Sequence, residues 1–205
     1  MTTEQPHDLL RLSSPTAVGK DVPRWVSAAM TQMPWVVVRR GHPRPGHVLV
    51  GVRGHSRAER FGLEIPRSTV VHRVSPEQLN EFGGDHELPA FRALEAVRPI
   101  LGASGLRWGP TGSVGFQLAT GHRCVHRDSD LDVAVYADSD TDGMFEWLRD
   151  LHGALEDVPA RVDCLVEFGW GAISLTELAS DVSELMARSH DGPQLVSRSR
   201  LTSWP

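Results

Sequence analysis

Asp130 and Asp132 stand two residues apart at the entrance to an apolar run, Val133-Ala134-Val135-Tyr136. In a strand, alternate side chains share a face, so the two carboxylates project together. Two such charges repel unless a cation lies between them. Magnesium fills that role in phosphoryl-transfer sites, taking one or two carboxylates, several waters and substrate oxygens. Upstream, Gly112-Ser113 sits where a turn enters a helix, and backbone N–H groups there are open to an anion. Asp163 occupies a second apolar segment, Arg161-Val162-Asp163-Cys164-Leu165-Val166-Glu167, where a carboxylate is out of place unless it has a task. If the two strands are neighbours, three carboxylates converge on one site and can hold one metal or two. Such metals lower the pKa of an attacking hydroxyl and stabilise a leaving pyrophosphate. Asp163 can alternatively serve as general base toward that hydroxyl. Blander readings stay open: an ordinary Gly-Ser turn, a solvated strand end at Asp130 and Asp132, and an edge-strand Asp163 paired with Arg161.

These residues need elements to hold them. Pro89 opens a helix in which Phe91, Leu94, Val97 and Leu101 recur at helical spacing. Leu106-Arg107-Trp108 leads into the Gly-Ser turn. Beyond the Asp130 strand, Asp138-Ser139-Asp140-Thr141-Asp142-Gly143 caps a helix whose apolar stripe is Met144, Trp147, Leu148, Leu151 and Leu155. Ser174-Leu175-Thr176-Glu177 reads as a capping box for a last helix that buries Leu178, Val182, Leu185 and Met186. The N-terminal half begins with a polar, proline-bearing lead-in over residues 1–30. Strands are expected at Trp35-Val36-Val37-Val38-Arg39-Arg40, His47-Val48-Leu49-Val50-Gly51-Val52 and Thr69-Val70-Val71-His72. Between the last two, residues 53–62 read as a turn entering a short helix. Arg57 and Arg60 then share a helix face, with Arg53 just before it. These arginines suit phosphate clamping or an acidic partner, and equally a solvated face. A flexible break at Gly83-Gly84-Asp85 divides residues 1–84 from residues 85–205.

Composition narrows the function classes. The net charge of −5 divides into +5 over residues 1–80 and −10 over residues 81–205. That asymmetry suggests two modules with different tasks. Neither a strongly basic balance nor aromatic-basic interleaving is present, so no nucleic-acid partner is expected. No apolar run is long enough to span a bilayer, and residues 1–12 lack the pattern of a signal peptide. Cys124 and Cys164 form no disulfide framework and read as reduced thiols of a cytosolic, cytoplasmic protein. The run from Asp138 to Gly143 imitates the start of a calcium loop, but Arg149 stands where the twelfth-position glutamate belongs. His122 and His126 lie in a loop without helical pattern and read as surface residues. Trp170 and Trp204 read as packing residues.

Gly112-Ser113, then Ser129-Asp130-Leu131-Asp132-Val133, then Asp163 resemble the nucleotidyltransferase superfamily of the DNA polymerase β type. Sixteen residues separate Ser113 from Asp130, longer than is usual there, which implies an extra loop over residues 122–129. A narrower resemblance covers nearly the whole chain. Val50-Gly51-Val52-Arg53-Gly54 with Arg57 and Arg60, Leu88-Pro89-Ala90, Trp108-Gly109-Pro110-Thr111-Gly112-Ser113-Val114-Gly115-Phe116, Leu118-Ala119-Thr120-Gly121, Ser129-Asp130-Leu131-Asp132 and Arg161-Val162-Asp163 look like the phosphoribosyl-dephospho-CoA transferase family of bacterial malonate decarboxylase, its holo-acyl-carrier-protein synthase.

The resemblance implies an α+β protein, with a small N-terminal α+β domain (1–84) for substrate or partner binding. A nucleotidyltransferase-like α/β catalytic domain with a mixed sheet (85–205) follows. It implies Mg2+ as cofactor, held by Asp130, Asp132 and Asp163, with the same three residues catalytic. Gly112, Ser113, Ser129, Arg53, Arg57 and Arg60 would bind substrate. The implied partners are triphosphoribosyl-dephospho-CoA and the apo acyl-carrier subunit of malonate decarboxylase, whose serine hydroxyl displaces pyrophosphate. Two alternatives remain at this point: another nucleotidyltransferase of the same fold, and a non-catalytic nucleotide-binding module. Retention of all three carboxylates argues against the latter.

Overall fold

A computed structural model describes residues 4–54, 58–137 and 144–201. Arg57 and the turn at 138–143 lie outside the described residues, as does the side chain of Met144. The architecture is α+β, in two compact units, residues 1–75 and 76–205.

Among the described residues, the first unit is an antiparallel sheet of five strands with one α-helix. The strands are β1 (Leu9–Leu12), β2 (Trp35–Val38), β3 (His47–Arg53), β4 (Arg60–Pro66) and β5 (Val70–Val74), in the order β4-β3-β2-β1-β5. Helix α1 (Arg24–Gln32) buries Val26 and Met30, four residues apart, and both join Leu10, Val50 and Ile65 in one core cluster. Strand β3 shows why such segments become strands: Val48, Val50 and Val52 are buried at period two.

Two expectations fail in this unit. The lead-in contains β1, only four residues long and too short for its apolar residues to show a period. Pairing with β2 on one side and β5 on the other makes it an interior strand. The short helix expected after Arg53 is instead β4. Phe61, Leu63 and Ile65 alternate, and Arg60 to Pro66 pair residue by residue with β3. Gly51 and Gly62 face each other in this hairpin, and a Cβ on Gly62 would collide with the Arg39 guanidinium.

The second unit is built on a mixed sheet of six strands: β6 (Arg107–Pro110), β7 (Leu131–Tyr136), β8 (Val162–Phe168), β9 (Gly171–Ser174), β10 (Glu184–Ser189) and β11 (Gly192–Ser197). Their order is β11-β10-β9-β8-β7-β6. Only β7 and β8 are parallel; every other pair is antiparallel. The helices are α2 (Pro89–Gly102), α3 (Gly112–Thr120), α4 (Met144–Glu156), α5 (Leu175–Ala179) and α6 (Arg198–Leu201). Phe91, Leu94, Val97 and Leu101 of α2 and Leu148, Leu151 and Leu155 of α4 are buried as their spacing requires. They cover the face of β7 that carries Leu131, Val133 and Val135.

Here too the C-terminal reading needs correction. Helix α5 stops at Ala179, and Ser174 makes no side-chain cap. Glu177 accepts instead from the Met186 N–H of β10 at 3.0 Å. Val182 and Met186 are exposed, while Leu185 is buried. Residues 184–197 form a hairpin, because Leu185 and Ala187 alternate with Glu184, Met186 and Arg188 at period two. The unit boundary also lies earlier than the break at 84/85. Arg107 Nη1 meets Glu77 Oε1 at 2.6 Å and Arg98 Nε donates to Asn80 O at 2.6 Å, tying residues 77–80 to the second unit. Gly84 is a close-approach glycine: its Cβ would overlap the Phe91 ring.

Leu10 tests the placement of β1. It is wholly buried, so Leu10→Ala should cost roughly 2–5 kcal/mol of stability, read from the urea midpoint. A change typical of an exposed residue would place β1 outside the core.

Candidate active site

The site residues of the second unit are positioned by one end of the parallel pair β7–β8. In that register Asp132 lies opposite Asp163, with Leu131 opposite Val162 and Val133 opposite Cys164. Register partners in adjacent strands project from the same face. Leu131 and Val133 turn into the core, so Asp132 turns away from it, together with Asp163. Asp130 precedes β7 by one residue and Asp132 by two, and it is half-buried. The Leu131 N–H donates to Arg161 O at 2.9 Å, extending the ladder to the chain just before Asp163.

Helix α3 starts against this corner. The Thr111 N–H donates to Asp132 O at 2.8 Å, which joins β7 to the residue before the helix. Gly112 has φ +56°, the left-handed region that glycine adopts without strain. A Cβ placed there would lie 1.8 Å from Asp132 Oδ2. Glycine is thus required twice, by conformation and by the carboxylate packed against the first turn. Thr111 supplies no side-chain cap to α3. Ser113 is buried, and its carbonyl accepts the Cys124 thiol at 3.3 Å.

Asp163 is the most exposed of the three carboxylates. Its Oδ1 meets Arg161 Nη2 at 2.7 Å, and the two side chains are 44% and 72% exposed. Adjacent strands and the Arg161 ion pair therefore both occur, which joins two readings that the residue pattern set against each other. Asp163 also lines a groove of about 540 Å3 with Arg161, His152, Glu156 and Thr176. Oxygen donors of this kind suit a hard cation such as magnesium. Among the described residues, no three His, Cys, Asp or Glu side chains are grouped closely enough to hold a metal alone. Two carboxylates completed by substrate oxygens and water are what magnesium takes, so the residues fit that ion.

The remaining expected residues divide. Ser129 Oγ accepts the His126 N–H at 2.9 Å while the Ser129 N–H donates to His126 O at 3.1 Å, so this serine closes a turn within its own loop. Arg53 and Arg60 belong to the first unit. They are cross-strand partners at the loop end of the β3–β4 hairpin rather than neighbours on a helix face. Like charges directly opposite each other destabilise a hairpin by themselves and become favourable beside an anion. Arg57 lies in the connecting segment outside the described residues.

Two participants were not expected. Arg161 was considered only as a bland partner, yet it holds Asp163. Gln117 carries no assignment from the sequence. Its Oε1 accepts the N–H groups of both Cys124 and Val125 at 2.9 Å. The available signal was its position as a long polar side chain between Phe116 and Leu118.

The corner makes one substitution diagnostic. Gly112→Ala should destabilise the protein by roughly 1–3 kcal/mol from backbone strain alone. It should also displace the Asp132 carboxylate. Thermal unfolding checks the first effect, and an unchanged midpoint would contradict the left-handed backbone at Gly112.

Comparison with known proteins agrees with this division of the chain. Residues 5–76 match the family model described as phosphoribosyl-dephospho-CoA transferase MdcG N-terminal domain, and residues 78–199 match the MdcG C-terminal domain. The phosphoribosyl-dephospho-CoA transferase of Pseudomonas putida is 39% identical over 197 residues, covering 96% of this chain and 95% of that protein. That of Azotobacter vinelandii is 37% identical over 198 residues, with 94% and 92% covered. That of Pseudomonas aeruginosa is 35% identical over 196 residues, with 94% and 91% covered. No solved structure matches the chain. With both halves matched in order and such relatives aligned nearly end to end, the chain belongs to the phosphoribosyl-dephospho-CoA transferase family.

Proposed function

We propose that this enzyme transfers the phosphoribosyl-dephospho-CoA group of triphosphoribosyl-dephospho-CoA to a serine of the apo acyl-carrier subunit of malonate decarboxylase, in the cytoplasm. The observation that carries the chemistry is the registered pair Asp132–Asp163 beside the first turn of α3. Family membership over the whole chain supports the choice of substrate. In the reaction the serine oxygen forms a bond to the α-phosphorus, and the bond from that phosphorus to the β-phosphate oxygen breaks. Pyrophosphate leaves, and the serine proton passes to a base.

Asp163 is the base on this reading, since it is the most accessible carboxylate of the set. It must first give up Arg161. An exposed ion pair is worth about 0–1 kcal/mol, so that exchange costs little. Asp130 and Asp132 would hold magnesium, which when bound neutralises charge on the phosphates and lowers the pKa of a nearby hydroxyl. Gly112 and Ser113 present backbone N–H groups of the α3 first turn toward the substrate phosphates. Arg53 and Arg60 supply guanidinium forks for phosphate or for an acidic carrier. Among the described residues no helix is long and apolar enough to cross a membrane.

The direct test is the purified protein with magnesium, triphosphoribosyl-dephospho-CoA and the apo carrier, read as a mass increase on the carrier serine. No mass increase under these conditions would sink the proposal. Asp130→Asn and Asp132→Asn should each lower the transfer rate roughly 100- to 1,000-fold, the scale of removing one electrostatic stabiliser. Both should unfold at the wild-type midpoint. Near wild-type transfer by either would remove that residue from the metal site.

Arg161→Ala and Asp163→Asn separate carboxylate from guanidinium. Arg161→Ala should shift stability by less than about 1 kcal/mol and preserve transfer. Asp163→Asn should lower transfer roughly 100-fold or more, as loss of a general base does. The opposite ranking would move the contribution from Asp163 to Arg161.

A further inference from the structure

The segment between α3 and β7, residues 121–130, has no regular secondary structure, yet it delivers Asp130. A segment of that kind needs fixed points if the carboxylate is to arrive in one place. Gln117 provides two of them. Its side-chain oxygen has two lone pairs, and both are used, one by the Cys124 N–H and one by the Val125 N–H, at 2.9 Å each. Further links run to the same helix. The Cys124 thiol donates to Ser113 O at 3.3 Å, and Thr120 Oγ1 accepts the His122 N–H at 3.1 Å while donating to Phe116 O at 2.7 Å. Val125 is buried in the second unit's core, so the chain is anchored there on both its backbone and its side chain. The turn closed by His126 and Ser129 then completes the route to Asp130.

We propose that Gln117 is a positioning residue for the transfer reaction: by clamping the loop onto α3 it sets where Asp130 stands relative to Asp132 and the α3 first turn. The kinetic part of this proposal rests on the function proposed above. Glutamine suits the role because its amide oxygen serves two backbone donors at once. Leucine has a similar volume and no acceptor, while glutamate keeps two acceptor oxygens at the same reach.

The two cysteines give a readout independent of catalysis. Cys124 sits in the clamped loop and is partly exposed, whereas Cys164 is buried in β8, where burial pushes its thiol up to about 12. Gln117→Leu, Gln117→Asn and Gln117→Glu would each be labelled with iodoacetamide and assayed for transfer over a magnesium titration. In Gln117→Leu, Cys124 should react about tenfold faster or more than in the wild type, with Cys164 still protected. Its kcat should fall about tenfold or more, as when a supporting partner of a metal-site ligand is removed. More magnesium should be needed for half-maximal rate. Gln117→Glu should restore Cys124 protection and most of the kcat, while Gln117→Asn, one methylene too short, should behave like the leucine variant.

Unchanged Cys124 reactivity in Gln117→Leu overturns the clamp. Faster labelling with an unchanged kcat overturns the positioning role. If Cys164 becomes reactive as well, the leucine variant has lost its fold, and the Asn–Glu contrast decides: equal behaviour of those two overturns the proposal. A wild-type protein that transfers nothing defeats the functional reading instead, since the labelling contrast still reports the clamp.

Discussion

The second unit depends on one pairing, the parallel alignment of β7 with β8. Parallel neighbours require a crossover, and α4 supplies it by spanning from one strand to the next over the core face. The alignment admits little slippage. A one-residue slip would turn Leu131, Val133 and Val135 out of the core and drive Asp132 into it. Burial of a charged carboxylate without a partner is costly enough to exclude that alternative. The same apolar alternation that stabilises the sheet therefore sets Asp132 opposite Asp163. The geometry of the site is a consequence of core packing, with no separate device needed to bring the two strands' carboxylates level.

Around that pairing, the readable parts of the chain were those where local pattern and tertiary role agree. The α2 stripe, the α4 stripe and the runs that became β3, β7 and β8 all carried their periodicity openly. The unread parts share a different cause. Strand β1 is four residues long and owes its existence to two neighbours that lie far away in sequence. The hairpin β10–β11 was hidden because Leu178, Val182, Leu185 and Met186 also satisfy a helical spacing. The alternation of Leu185 and Ala187 only becomes meaningful once β9 offers a pairing edge. Strand β4 was masked by Arg60 and Gly62, although Phe61, Leu63 and Ile65 held the correct period.

The site shows the same division. Residue types revealed the carboxylates and the Gly-Ser turn, because acids at strand entrances and a glycine before a helix are locally anomalous. The need for glycine at 112 was deeper than an open turn, since the Asp132 carboxylate fills the space that a Cβ would take. Side-chain hydrogen bonds to backbone leave no periodic trace, so Gln117 and the turn made by Ser129 were invisible. Arg53 and Arg60 were recognised as a group but given the wrong scaffold: a hairpin brings them opposite one another, where a helix would have stacked them along a face.

The charge distribution gives these placements a common logic. Residues 81–205 carry a net −10, and a triphosphate substrate is itself strongly anionic. A surface of that sign repels such a substrate at long range, so attraction must come from elsewhere. Three sources of opposite sign are available: a bound divalent cation, backbone N–H groups at the start of α3, and the guanidinium groups of a first half that carries +5. Asp130 and Asp132, which would bind the cation, are two of the twenty acidic residues in that half. The proposed reaction would then separate into two physical tasks. Arginines with little chemical versatility would supply anion attraction, which tolerates loose geometry but weakens as salt screens it. The carboxylates would supply proton transfer and cation binding, which demand tighter geometry, and Asp132 and Asp163 are held level by sheet register, with the first turn of α3 packed against Asp132.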